Sequence, residues 1–321
     1  MRKILFAITI FFSSVTLFVI DACKKETCPT PCEVCEAIPS DNIRLYYKNK
    51  EEQEESPCFN PNGGNEFVYI KIKGKKNSLM KYNLIEQKSS VILSDISIIV
   101  SQPQWGENGW IVFSTIDWKL NIVKPDGTGY KKITVGLESY LHPVWKNDST
   151  IAAELRYPSK IPYDYAEVDV KGKLKDTLRT YGFDLGTINS KGEAAYIMYT
   201  SYPNISVREG KNAKELVHAP ISGEQSKRIT GIVWHPNDKD IYYTRFVCGI
   251  YKINKTTMKD QRIKLGCETR QYRDISVSSD GKKILVQRID ESDYIDTGTI
   301  TLDAGIYIMD IDGSNERKIE L

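Results

Sequence analysis

The strongest pattern in this chain is one short phrase written six times. Each copy is an apolar anchor, a polar turn and a β-rich run. The copies are Phe59-Asn60-Pro61-Asn62-Gly63, Trp105-Gly106-Glu107-Asn108-Gly109 and Trp145-Lys146-Asn147-Asp148-Ser149, followed by Ile188-Asn189-Ser190-Lys191-Gly192, Trp234-His235-Pro236-Asn237-Asp238 and Val277-Ser278-Ser279-Asp280-Gly281. Successive anchors stand 46, 40, 43, 46 and 43 residues apart. A period of this size built from strands and turns is the signature of four-stranded propeller blades. The Asn, Asp, Gly and Pro of each turn tolerate the left-handed or preset angles of a tight reversal. The fold class that follows is all-β: a six-bladed β-propeller of four-stranded antiparallel blades over residues 56–321.

Each unit has the same internal order. The anchor closes the innermost strand, and a second strand follows the turn, as in Trp110–Ser114 and Lys283–Gln287. A loop of variable length leads to a third strand, as in Leu120–Lys124 and Ile306–Asp310, and a hairpin leads to the outer strand. Asp126-Gly127 and Asp312-Gly313 mark two of those hairpins, since Asp-Gly accepts the positive backbone angles they need. Trp105, Trp145 and Trp234 recur at one place in the unit, so they are expected to pack between blades.

The unit resembles the TolB-type, WD40-like propeller repeat, whose pattern is P-x-W-S-P-D-G, an apolar strand, an apolar-D-x-D-G hairpin and a closing L-T. Pro103–Thr134 and Ser276–Ile319 are the nearest copies, and the copy around Ile188 lacks both Pro and Trp. The resemblance implies fold more than function, because such propellers serve as binding platforms, assembly scaffolds and substrate gates.

The N-terminus carries an address. Arg2 and Lys3 precede an apolar run over Ile4–Ile20, then Asp21, Ala22 and Cys23. A charged start, a short apolar run and a small residue describe a secretory signal. Ala22-Cys23 resembles the lipobox of bacterial lipoproteins, and Lys24-Lys25-Glu26 resembles the charged residues of Bacteroidota surface lipoproteins. The expected organisation is a signal peptide over 1–22, a lipidated, Cys-rich polar tether over 23–55, and the propeller. The tether includes the acidic run Glu51-Glu52-Gln53-Glu54-Glu55. The expected location is the cell envelope, anchored at the outer membrane through the N-terminal lipid alone, on its periplasmic or outer surface.

Seven cysteines less Cys23 leave six that can pair, and export favours disulfides over a knuckle-like metal site at Cys28, Cys32, Cys35 and Cys58. Cys248 at the start of a third strand and Cys267 after the fourth should lie side by side, and a bridge there would stabilise the domain by about 3 kcal/mol.

Motifs for chemistry are scarce. The sequence has no G-x-S-x-G elbow, phosphate loop or H-E-x-x-H. Forty-four basic residues balance 42 acidic ones for a net charge of +2, spread along the chain, so nucleic acid is not an expected partner. No cofactor, metal or catalytic residue is assigned, and a monomer is expected. His142, before Pro143 at the start of an inner strand, should face the channel mouth. His235 should lie in a surface turn. The loops between second and third strands, with the starts of the inner strands, should form one recognition face. Candidate ligand-binding residues there are Trp118, His142, Arg156, Tyr157, Tyr163, Tyr202, Arg245, Arg273, Asp274 and Tyr294. The leading reading is a non-catalytic scaffold that binds an envelope protein or a glycan through this face. The alternative is an envelope lyase or hydrolase centred on His142. Convergence of His142, Arg273 and a loop tyrosine in a deep pocket would favour the enzyme.

Overall fold

The computed structural model describes residues 44–47, 52–74, 76–96, 99–134, 137–157, 160–179, 183–199, 203–209, 212–218, 229–245, 248–266, 270–295 and 299–321. The chain divides into two compact units, Met1–Val34 and Cys35–Leu321, and every described residue lies in the second. These residues form six sheets, antiparallel within each four-stranded blade, and contain no helix.

Blade one comprises Glu52–Phe59, Glu66–Lys73, Lys76–Asn83 and Lys88–Ile96. Blade three comprises Ser139–Asn147, Thr150–Tyr157, Lys160–Asp169 and Leu174–Arg179. Blades two, four and five repeat the plan, with each strand paired to the next in sequence. The expected anchors close the first strands in five blades, and in blade three the strand runs two residues past Trp145 to Asn147. Gly127 and Gly313 of the two Asp-Gly hairpins both have φ of 83°, the conformation for which those dipeptides were read.

Among the described residues, buried apolar side chains gather into six clusters, one at each seam between neighbouring blades. Trp105 packs with Cys58, Val68 and Leu79 of blade one, and Trp234 with Ala195, Ile197 and Ile205 of blade four. Trp145 sits in the seam between blades two and three, and its indole N–H donates to Gln104 O at 3.2 Å. The tryptophans are therefore inter-blade packing, as their recurrence implied. The seam between blades three and four holds Val144, Ala152, Ala194 and Tyr196, with Ile188 where blades one, two, three and five carry a large aromatic. His235 is more than a surface residue. Its Nε2 pairs with Gly281 O at 3.1 Å, latching the turn of blade five to that of blade six.

Three expectations are corrected. Glu52–Glu55, assigned to the solvated tether, opens the innermost strand of blade one, where Glu55 pairs with Ile70. The tether reading weighed only charge, whereas alternate residues of an inner strand can face the aqueous channel. The insertions of blades three and six are not loops. Blade six runs Lys283–Ile295 and Thr299–Asp310 as one long hairpin, with Asp290 opposite Asp303 and Ser292 opposite Thr301. Extending the ladder satisfies backbone groups that a free loop would leave to water, and Ile, Tyr and Thr suit it. Cys58 is a free buried thiol, not a member of a pair. Its Sγ accepts from Trp105 N–H at 3.5 Å, and burial pushes its pKa up to about 11.

Ring closure comes from both ends of the chain. The outer edge of blade six takes Arg317–Lys318 antiparallel against Tyr307 and Ile308, and Arg44–Tyr47 parallel against Thr299–Leu302. Phe59, Phe67 and Tyr69 of blade one then pack on Leu285, Ile306 and Ile319. Phe59 N–H donates to Ser276 Oγ at 3.0 Å across the same seam.

Candidate functional site

The innermost strands share a distortion that creates the site. Register slips between Glu55 and Cys58, Leu141 and Val144, Leu185 and Thr187, Ile229 and Gly231, and Arg273 and Ser276. Each slip lies two to four residues before its anchor. A bulge of this kind re-aims the side chains it carries. At three of them a residue with a side chain takes a left-handed backbone: Ser56 at φ 56°, His142 at 45° and Asp274 at 47°. Such angles cost energy in residues other than glycine, and they persist where the surroundings hold them.

The bulges surround a central cavity of about 740 Å³. Glu55, Ser56, Gln102, His142, Arg273 and Asp274 line it together with aliphatic side chains such as Ile70, Val144 and Ile232. Ser56 Oγ donates to Asp274 Oδ2 at 2.9 Å, and Gln102 Nε2 donates to Pro57 O at 2.7 Å. Burial raises the pKa of Asp274, opposed by the Ser56 hydrogen bond and the charges of Arg273 and His142. Burial likewise pushes Glu55 up to about 7. The Asp274 charge adds to that shift and Arg273 opposes it. The cavity thus holds two carboxyls whose charged forms are poorly solvated.

A second set of contacts runs outward from His142. Its Nδ1 lies 3.0 Å from Glu154 Oε2, and Arg156 Nε donates to Glu154 Oε1 at 2.7 Å. Glu154 is fully buried, so this pairing gives it the partners a buried carboxylate needs. The Arg156 guanidinium stands 5.3 Å from the ring centre of Trp118, whose φ is 62° and which is 38% exposed. A continuous line of contacts therefore joins an exposed aromatic side chain to the channel wall.

The structure brings Trp118, Arg156, His142, Arg273 and Asp274 into this connected arrangement. Arg245 is occupied elsewhere. It stacks over Tyr251 at 4.6 Å, bonds Tyr243 OH at 3.1 Å and stands 3.7 Å from Asp260. Tyr157 ends the second strand of blade three, Tyr163 lies in its third, and Tyr294 lies in the long hairpin of blade six. The side chains of these three tyrosines, and the residues Tyr202, Cys23 and Cys267, lie outside the described residues. Among the described residues no tyrosine lines the cavity, and no group of three His, Cys, Asp or Glu side chains is placed to hold a metal ion.

Sequence reasoning missed Glu55, Ser56 and Glu154. The first two carry a legible signal. Ser56-Pro57, Gln102-Pro103 and His142-Pro143 repeat the same X-Pro step three residues before an anchor, which marks Ser56 as the counterpart of His142. Glu154 is a lone carboxylate inside the apolar run Ile151–Leu155.

No family model matches the chain, and no curated protein matches its sequence. Solved structures do match its shape. A structure assigned as TolB from Agrobacterium tumefaciens superimposes with a TM-score of 0.61 at 14% identity, over 76% of this chain and 88% of that one. TolB from Acinetobacter baumannii gives 0.54 at 12% identity, over 70% of this chain and 57% of that one. An oligogalacturonate lyase in complex with manganese gives 0.52 at 10% identity, over 86% and 77%. These likenesses establish a TolB-like six-bladed propeller fold. TolB and an oligogalacturonate lyase share it, so function has to be argued from the site.

Proposed function

We propose that this chain is a non-catalytic lipoprotein of the cell envelope, of Bacteroidota type, which recognises an envelope protein or glycan at the channel mouth of its TolB-like propeller. Cys23 is the lipidation site and the outer membrane the anchoring surface. The observation that carries the reading is the cavity wall itself. Ser56, His142 and Asp274 are held in left-handed bulges around one cavity, an arrangement that folding alone does not require. Trp118 and Arg156 extend the surface outward and are residue types that dominate interface energetics. Cys248 and Cys267 form a disulfide in the exported protein. Gly266 N–H donates to Cys248 O at 3.2 Å, which supports the adjacency of positions 248 and 267.

One experiment tests these points together. Full-length tagged protein is recovered from envelope extracts of cells fed a fatty-acid analogue and digested without reduction. Label on the wild type and not on Cys23→Ala, a Cys248–Cys267 peptide pair, and a co-purifying partner lost in Asp274→Asn are expected. Label on both proteins ends the lipoprotein claim, free thiols end the bridge, and capture indifferent to Asp274→Asn moves recognition off the cavity.

The enzymatic alternative draws on one contact, the His142–Glu154 pair, since a carboxylate on Nδ1 orients an imidazole for proton transfer. Turnover of a substrate by the wild type and its loss in Glu154→Gln would replace the scaffold reading.

A further inference from the structure

The chemical class of the occupant follows from which hydrogen-bonding groups the cavity wall has already used. Ser56 Oγ–H is spent on Asp274. Thr230 Oγ–H is spent on Tyr272 O at 2.9 Å, and Gln102 Nε2 donates to Pro57 O. A hydroxyl that has given its proton offers only lone pairs, and an ionised carboxylate offers nothing else. The wall of this cavity therefore presents acceptors at Glu55, Ser56 and Asp274, whereas the Thr230 oxygen also accepts from Thr244 Oγ1 at 3.0 Å.

Charge points the same way. Glu55 and Asp274 are the two acids on the wall, and Arg273 is the one fixed cation among the described lining residues, so acids outnumber fixed cations there. Holding two carboxylates in a poorly hydrated cavity is costly, and a buried counter-charge with several N–H donors relieves the cost. No described trio of ligating side chains surrounds them, which favours an organic cation over a metal ion. The rest of the wall is aliphatic, with Ile70, Ile99, Val100, Ile197, Ile229 and Ile232. That surface suits methylene groups.

We propose that the cavity receives an alkylammonium group, a primary amine on an aliphatic stem, bound between Glu55 and Asp274. It is either a lysine side chain offered by a protein partner or a free aliphatic amine. This rests on the reading of the cavity as the recognition site and narrows it.

The test titrates full-length protein in detergent with trilysine, with cadaverine, and with 1,5-pentanediol and glutarate as controls of similar stem but no ammonium. Saturable binding of an amine and none of the diol is expected. Asp274→Asn and Glu55→Gln should each weaken it about tenfold. Asn tolerates the left-handed angle at position 274, so that variant should keep its fold. Binding of trilysine alone assigns the group to a peptide, and binding of cadaverine alone assigns it to a free amine. Failure of both amines, or diol or glutarate binding as tight as cadaverine, overturns the proposal on the wild type without any variant. Binding unchanged when both carboxylates are replaced overturns it too. The two readings fail differently. Partner capture lost in Asp274→Asn with no amine bound leaves the cavity as recognition site and removes the ammonium. Amine binding lost in Asp274→Asn while capture persists removes the recognition reading and keeps the amine site.

Discussion

The rim of the channel has two unlike arcs. Blades six, one, two and three place Asp274, Ser56, Gln102 and His142 on the cavity, whereas blades four and five place Gly186 and Gly231 at the corresponding bulges, with Thr230 beside Gly231. Five of the six innermost strands slip at about the same distance from their anchors, so the repeat supplies the backbone position and the residue supplies the chemistry. The glycines are not idle spacers. A Cβ on Gly186 would stand 1.9 Å from Ile232 Cγ2, and one on Gly231 would stand 3.0 Å from the backbone nitrogens of Asp274 and Ile275. In the glycine arc the neighbouring blade comes close enough to fill the space a side chain would take. In the polar arc the blades leave room, and the side chains turn into the cavity. Polar side chains are concentrated on one side of the axis because packing occupies the other.

The largest effect that could break this contrast is Gly186→Ala. Ile232 is buried in the seam between blades four and five and has little room to yield. Overpacking of this kind should cost about 3 kcal/mol and lower Tm by about 5–10 °C. Ser56 already carries a Cβ, so Ser56→Ala should cost only its hydrogen bond to Asp274, about 1 kcal/mol. Thermal unfolding of the two variants side by side decides the matter. Equal losses would show that the arcs do not differ in packing.

A second contrast is in how the arcs respond to pH. Glu55 on the polar arc has its pKa raised from 4.5 to about 7, by burial first and by the Asp274 charge second. A carboxyl raised on folding is favoured in its protonated form. Its stabilising contribution is full below pH 4.5 and is lost as pH rises through about 7. Stability of the wild type should fall by about 2 kcal/mol between pH 5 and pH 8, a figure reduced because the cavity opens to solvent. Glu55→Gln should remove that part of the slope. Denaturant midpoints at both pH values measure it, and a slope unchanged in the variant would locate the titration on another group.

What could be read from the chain alone follows the same division. Blade number, strand order and the packing role of Trp105, Trp145 and Trp234 were legible because seam residues obey the period and seam chemistry is simply apolar. His142, Arg273 and Asp274 were expected among the candidates at the starts of the inner strands, and they line one cavity. Glu55 was hidden by its neighbours, since Glu51–Glu55 looks like a solvated charge run until the strand places alternate residues on opposite faces. Glu154 was hidden because a carboxylate in an apolar strand has meaning only once His142 and Arg156 are seen on either side of it. The hairpin of blade six was misread as a loop because composition alone does not separate a binding loop from a ladder that continues past its blade. Arg245 lies at the expected place in its blade, but Tyr243, Tyr251 and Asp260 had a prior claim on it that only geometry reveals.

The smallest effect separates the backbone of the polar arc from its side chains. Asp274→Gly and Asp274→Ala both remove the carboxylate, its repulsion of Glu55 and its bond to Ser56. They differ in the backbone alone, because glycine accepts a φ of 47° freely and alanine does not. The glycine variant should be the more stable by about 1 kcal/mol, a difference that chemical denaturation resolves. At Ile275, the next residue and outside the left-handed set, the same pair should reverse its order, because glycine there loses more chain entropy than alanine. A reversal at one position and not the other would show that the bulge holds a strained angle in order to aim Asp274. Equal stabilities of the two Asp274 variants would mean that the strand adopts this bend without strain, and that the left-handed residues of the polar arc follow from the propeller backbone and not from the site.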